Sequence, residues 1–220
     1  MYKIIKNIGT KFKENDCVVI IDVFRATSVM MYLFSKGCKY IIPTMTVEEC
    51  EKMKNNKNII LVGEESGIKP DFFDYNNSPS EIINRNFRRM EIIQHSTSGT
   101  KAFKESKCNN IYVGSFLNAQ FLAKKLKKKY NNIYLYPTNK KNIHKYNEDF
   151  ICAEYIVALL KEEIYDINYK IDGIYENKNL RFFKKNLQNR FPIEDAYLCT
   201  KKNIFNFSLK YVSNKIVKED

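Results

Sequence analysis

What the chain lacks narrows the reading first. No apolar run approaches the roughly 18 residues that a membrane-spanning helix needs, so no membrane partner is expected. The opening stretch, residues 1–16, has neither an apolar core nor a small-residue cleavage site. No secretion signal is therefore expected, and a cytoplasmic location is the simplest home. The six cysteines form no C-x-x-C pair, and the two histidines, His95 and His144, stand at no zinc-ligand spacing. The thiols read as small hydrophobes in a reducing compartment. There is no P-loop and no G-x-G-x-x-G turn, which disfavours nucleotide chemistry. No Ser–His–Asp arrangement stands out, since His95 directly precedes Ser96 and reads equally well as a strand-end histidine. Repeats and low-complexity linkers are missing too, so the 220 residues are expected to form a single domain with a proper core.

Negative charge is in deficit: 37 Lys and Arg face 25 Asp and Glu, a net +12. A nucleic-acid partner would explain that, but lysine, asparagine and isoleucine are heavily used from end to end, and no local patch stands apart. The one dense cluster, Lys124–Lys129, falls at an expected helix end without interleaved aromatics. Lysines there suit the helix dipole and solvent better than a binding stripe. No nucleic-acid partner is expected.

What is present centres on Cys17–Gly37. Val18–Val23 is a β-branched run of the kind buried on both sheet faces, and a helical pattern follows over 26–36. Asp22, Arg25, Thr27 and Ser28 lie at the junction, where open α/β proteins collect ligands. Tyr2–Ile8, Tyr40–Pro43, Asn58–Val62, Met90–His95, Ile111–Val113 and Ile133–Tyr136 read as further strands. Thr46-x-x-Glu49 and Ser78-Pro79-Ser80-Glu81 read as capping boxes, the first opening a helix to Asn55. Helices are predicted from Lys101, over Leu117–Lys129 and from Glu148. The alternation predicts an α/β fold, with a largely parallel sheet covered on both faces. Beyond Ile164 the pattern loosens. A helix over Asn179–Asn189 and short strands over Ala196–Thr200 and Ile204–Phe207 are the best readings there.

Two more strand-to-helix junctions, Thr97–Thr100 and Gly114–Ser115, share the polar character of the first. Each places backbone N–H groups and hydroxyls at a helix start. With carboxylates at Asp22 and Glu64, the three predict a crevice for an oxyanion and a metal ion. Asp22 could also pair structurally with Arg25, and Glu148-Asp149 could simply suit a helix dipole.

The ordered set DVFRATS (Asp22–Ser28), GE-x-x-G (Gly63–Gly67), FD-x-x-NSP (Phe73–Pro79), T-x-GT (Thr97–Thr100), GSFLNA (Gly114–Ala119) and ED-x-x-x-A (Glu148–Ala153) resembles the 2-phosphosulfolactate phosphatase family. The resemblance covers about residues 17–217. It implies a three-layer α/β/α fold with a mixed central sheet, Mg²⁺ dependence, and hydrolysis of a small anionic phosphate monoester, with ties to sulfolactate and coenzyme M biosynthesis. It leans to a homodimer. Carried over, Asp22 and Arg25 are the catalytic pair. Thr27, Ser28, Asn77, Ser78, Thr97, Ser98, Gly99, Thr100, Gly114 and Ser115 surround the substrate, and Asp22, Glu64 and Asp149 hold the metal. Asp22 acts either as a metal ligand or as a nucleophile. Departures from the usual pattern fall at Glu65 (an arginine in the family), Asn76 (a glycine), Ser98 (an asparagine) and Glu154 (a glycine). An acid at 65 is expected to disturb an anion pocket by roughly 4 kcal/mol per unit charge at contact distance. A changed substrate, or a weakened member that only binds an anionic metabolite, would follow.

Overall fold

The computed structural model describes residues 1–54, 58–139, 147–177 and 180–219. His144, Asn55 and the middle of the Pro137–Asn147 loop lie outside these residues. The strands are β1 (Tyr2–Ile4), β2 (Asp16–Ile21), β3 (Tyr40–Thr44), β4 (Ile59–Gly63), β5 (Glu91–His95), β6 (Ile111–Gly114), β7 (Asn132–Pro137), β8 (Ser208–Val212) and β9 (Lys215–Glu219). The helices are α1 (Ala26–Ser35), α2 (Val47–Met53), α3 (Pro79–Ile82), α4 (Gly99–Glu105), α5 (Ala119–Lys129), α6 (Glu148–Lys161), α7 (Ile167–Glu176) and α8 (Ile193–Cys199).

One mixed sheet runs in the order β1-β7-β2-β6-β8-β9-β3-β5-β4. It has two parallel blocks, β1-β7-β2-β6 and β3-β5-β4. The β8–β9 hairpin joins them through three antiparallel contacts. Those three reversals make the blocks run in opposite senses. Ser213 and Asn214 close the hairpin at φ 48° and 63°. Positive φ at both central residues is the two-residue turn whose twist matches a hairpin.

The β2 strand is buried along its whole length, as its β-branched run predicts. Val18 and Ile20 enter one core with α1, while Cys17, Val19 and Ile21 enter another beneath α5, α6 and α7. That two-sided alternation puts helices on both faces of the sheet. The α1 helix is buried over residues 26–34, and its core draws side chains from both blocks. A helix so covered packs against both blocks, and Gly99 after β5 and Ser115 after β6 both reach its start.

Several expectations need correction. The β1 strand stops at Ile4, not Ile8. Ala196–Thr200 is no strand: α8 covers Ile193–Cys199, with Pro192 ahead of it and Glu194 and Asp195 in its first turn. The chain at Ile204–Phe207 is irregular, and pairing starts at Ser208. Within Asn179–Asn189 the described part forms two short 3₁₀ turns, Arg181–Phe183 and Lys185–Leu187. Ser78 precedes α3 as expected but caps nothing with its side chain, which donates instead to Asp195 Oδ1 at 2.9 Å. Thr46 does accept from Glu49 N, as the first capping box requires. The α5 lysines behave as a solvated face: Lys125 and Lys129 pair with Glu219, and Lys127 with Glu162. No helix among the described residues is long and apolar enough to cross a membrane.

Candidate active site

The turn from β2 into α1 is stitched by its own hydroxyls. Thr27 Oγ1 donates to Asp22 O at 2.8 Å and accepts from Asp22 N at 3.1 Å. Ser28 Oγ donates to Val23 O at 2.9 Å and meets Ser115 Oγ at 3.2 Å. Both hydroxyls are thus spent on shaping the turn that aims the Asp22 carboxylate. Ala26 N, at the helix start, donates to Asp22 Oδ1 at 3.2 Å. The start of α4 closes in from the other block, and only glycine fits there. A Cβ on Gly99 would lie 2.4 Å from Asp22 Oδ2 and 2.7 Å from the Ala26 Cβ.

Carboxylates gather around this point. Asn147 caps α6 by accepting from Asp149 N and Phe150 N. The Asp149 carboxylate accepts from Val23 N at 2.7 Å, Thr138 Oγ1 at 3.2 Å and Asn139 N at 3.0 Å. It ties the ends of β2 and β7 together and is occupied on both oxygens. Glu148 is buried, and its Oε1 accepts from Asn139 Nδ2 at 3.0 Å. Across the cleft, the Glu64 carboxylate accepts from Thr97 N, Thr97 Oγ1 and Gly67 N, which binds the β4 loop to the β5 loop. Burial pushes the Asp22 carboxyl from its ordinary value up to about 6, and the charges of Glu64 and Glu148 add to the rise. Hydrogen bonds from Ala26 N and Thr138 oppose it without cancelling it. Burial also raises Glu148, and burial with the Glu148 and Asp22 charges raises Asp149 well above the usual range.

A second set of charges lies on the other side of Asp22. Arg25 Nη1 donates to Asp195 Oδ2 at 2.7 Å, and both side chains are almost fully enclosed. Asp195 Oδ1 accepts from Ser78 Oγ and Ser80 N, each at 2.9 Å. The Arg25 guanidinium also sits 4.9 Å from the Phe191 ring centroid. Gly67, at φ +82°, lets the β4 loop pass under that ring, because a Cβ there would come within 2.5 Å of Phe191 Cζ. Asp195, Phe191 and Arg181 went unnoticed in the sequence. The one signal was Pro192 followed by two acids, a helix start.

Together these elements frame a cleft of about 850 Å³. Of the residues expected at the site, Asp22, Arg25, Glu64, Asn77, Thr97 and Ser98 line it. Glu148, Lys101 and Arg181 join them. Asn77 Oδ1 accepts from Gln94 Nε2 at 3.0 Å, which fixes its amide. Thr27, Ser28, Ser78, Thr100, Gly114 and Ser115 are buried and do not line the cleft. Thr100 is bonded back to Ser96, and Ser115 makes a capping box with Asn118. Gly99 and Asp149 support the cleft from behind. Three of the four sequence departures also leave the cleft, Asn76 among them, buried with its Oδ1 accepting from Asn77 N at 2.8 Å. Glu65 contacts His95 Nε2, with its side chain half exposed. Glu154 accepts from Tyr165 and pairs with Lys170 on the far side of α6. Only Ser98 changes the lining, so the expected anion clash at position 65 does not arise in the pocket. Among the described residues no group of three or more His, Cys, Asp or Glu side chains is close enough to hold a metal ion.

The cleft carries acids on one side and basic groups on the other, which suits a small anionic ligand, and comparison with known proteins supplies the class. Residues 2–214 match the family model for 2-phosphosulpholactate phosphatase. A probable 2-phosphosulfolactate phosphatase of Thermoplasma volcanium is 34% identical over 202 residues, covering 91% of this chain and 92% of the relative. Proteins of the same description from Clostridium acetobutylicum and Clostridium botulinum (strain Eklund 17B) are 32% and 33% identical, covering 93% and 96% of this chain and 93% and 95% of their own. The chain is a hydrolase of the phosphatase type. It belongs to the 2-phosphosulfolactate phosphatase family.

Proposed function

We propose that the protein is a Mg²⁺-dependent phosphatase that converts 2-phosphosulfolactate to sulfolactate and inorganic phosphate. The observation that carries this reading is the meeting of buried carboxylates, Asp22 and Glu148, with the buried Arg25 guanidinium in one cleft. Burial and neighbouring carboxylates hold Asp22 up at about 6, and among the described residues no cationic side chain forms an ion pair with it. A divalent cation would supply it, so the residues fit the ion. Mg²⁺ commonly uses one or two protein carboxylates and keeps its waters and substrate oxygens as the other ligands, so a cage of three acids is not required. Asp22 would hold the ion, flanked by Glu64 and Glu148; Asp149 is fully engaged elsewhere. When bound, the ion would offset phosphoryl charge and make a nearby water more acidic.

The chain's own groups do the rest. Arg25 spends one N–H on Asp195 and turns its remaining donors to the phosphoryl oxygens, pre-oriented and shielded from water. The Ser98 hydroxyl, which caps no helix N–H, and the Asn77 amide add polar contacts at the cleft wall. Glu148, with one oxygen on Asn139, accepts a proton from the attacking water as the new P–O bond forms, and returns it to the leaving oxygen of sulfolactate as the ester P–O bond breaks. The rival reading, a weakened anion-binding member, rested on Glu65, Ser98 and Glu154, and two of these stay out of the cleft. The test is phosphate release from 2-phosphosulfolactate and from phospholactate, with and without Mg²⁺. Metal-dependent release, faster with the sulfonate present, supports the proposal; no release from either ester by folded protein rejects it.

A further inference from the structure

Among the described residues three cationic side chains, Arg25, Lys101 and Arg181, line the cleft, and they are not equivalent. Arg25 is buried and neutralised by Asp195. Among the described residues, neither Lys101 nor Arg181 forms an ion pair, although both face the same space. Arg181 is nevertheless held in place: its guanidinium lies 5.3 Å from the centroid of the Phe191 ring, the ring that Arg25 approaches at 4.9 Å. Two guanidinium groups gathered on one ring repel each other unless anions stand nearby. Asp195 answers one of them and nothing described answers the other. Lys101 comes from α4 and Arg181 from the segment before α8, so the two unpaired charges enter from different parts of the chain.

We propose that Arg181 and Lys101 are the specificity-determining residues of the cleft, binding the anionic groups of the substrate that are not transferred, a sulfonate or carboxylate next to the phosphorylated carbon. The assignment rests on the phosphatase reading above. The phosphoryl group belongs beside Asp22 and Arg25, and the rest of a small organic acid must place its charge elsewhere. A planar guanidinium suits a carboxylate or sulfonate through two parallel N–H donors, while an ammonium adds a mobile point charge. Esters without a second anion would forgo both contacts.

The test compares wild type with Lys101→Met, Arg181→Gln and Arg181→Lys. For 2-phosphosulfolactate, Lys101→Met and Arg181→Gln should each lower kcat/KM by about 10- to 100-fold, mostly through KM. The loss should exceed that for p-nitrophenyl phosphate at least tenfold, and Arg181→Lys should recover part of it. Equal losses on the two esters, or no loss on either, would overturn the assignment. Calorimetric titration with sulfolactate and, separately, with inorganic phosphate keeps it decidable if wild type releases no phosphate. Sulfolactate affinity should then fall in both variants by a larger factor than phosphate affinity. Undiminished sulfolactate binding, or none in wild type, overturns it, whereas failed turnover with the expected binding pattern counts only against the phosphatase reading.

Discussion

Two sets of buried charge flank the start of α1, and they are balanced differently. On one side Arg25 and Asp195 neutralise each other, and Ser78 and Ser80 N saturate the carboxylate's other oxygen. On the other side Asp22, Glu148 and Asp149 are all acids, all buried and all raised above their ordinary values. The paired set serves the fold and orients one guanidinium. Hydrogen-bonded but without an ion pair among the described residues, the acidic set costs the fold free energy, and such a cost persists where a ligand relieves it. Local strain of this electrostatic kind separates the acidic part of the cleft from the part whose charges already neutralise each other.

Mutations should break the two sides in opposite directions. The largest effect is expected from Asp195→Ala, which leaves a buried guanidinium unpaired and frees Ser78 and Ser80 N. A loss of about 3–5 kcal/mol is expected in urea denaturation, with Asp195→Asn milder because it keeps an acceptor. Asp22→Asn should do the reverse in metal-free protein. The folded-state value of about 6 lies above the ordinary 3.8, so the folded form holds its proton over that interval. Stability therefore falls as pH climbs from about 4 to 6 and stays lower above it, by on the order of 2–3 kcal/mol. The asparagine variant should escape that loss, with an advantage that vanishes below about pH 4 in pH-dependent denaturation, while turnover is abolished. Gly99→Ala forces a methyl group against the Asp22 carboxylate. About 1–3 kcal/mol of stability and roughly 100-fold in kcat should be lost, both measurable on the purified variant. Ser115→Ala is the smallest change. It removes a hydroxyl sealed behind the cleft, costing about 1 kcal/mol with activity within about twofold of wild type.

The same contrast explains what could be read in the sequence. The β2–α1 unit was legible because a β-branched run followed without interruption by a helical pattern admits few other readings, and Asp22 and Arg25 at its junction do line the cleft. Hydroxyl-rich junctions were less informative. Thr97 and Ser98 face the cleft, whereas Thr27, Ser28 and Ser115 look alike in sequence and turn inward to satisfy backbone groups. Composition cannot tell these apart, because capping and ligand binding use the same donors. The Arg25–Asp195 pair spans 170 positions, a separation no local pattern reports. Its acid was hidden further by an α8 that reads as a strand: Tyr197, Leu198 and Cys199 are apolar, and the helix signal sits upstream in Pro192. Glu65 showed the opposite failure. Its motif position suggested a pocket residue, yet the turn over Glu65–Ile68 directs it to His95.

The most direct test of an unpaired acidic side is the melting temperature of wild type and Asp22→Asn at pH 7.5, each measured in EDTA and in millimolar Mg²⁺. In EDTA the variant should melt higher, and Mg²⁺ should raise the wild type while leaving the variant nearly unmoved. A wild type indifferent to Mg²⁺, or a variant that responds as strongly, would contradict the proposal that Asp22, which has no ion-pair partner among the described residues, takes one when a divalent cation binds.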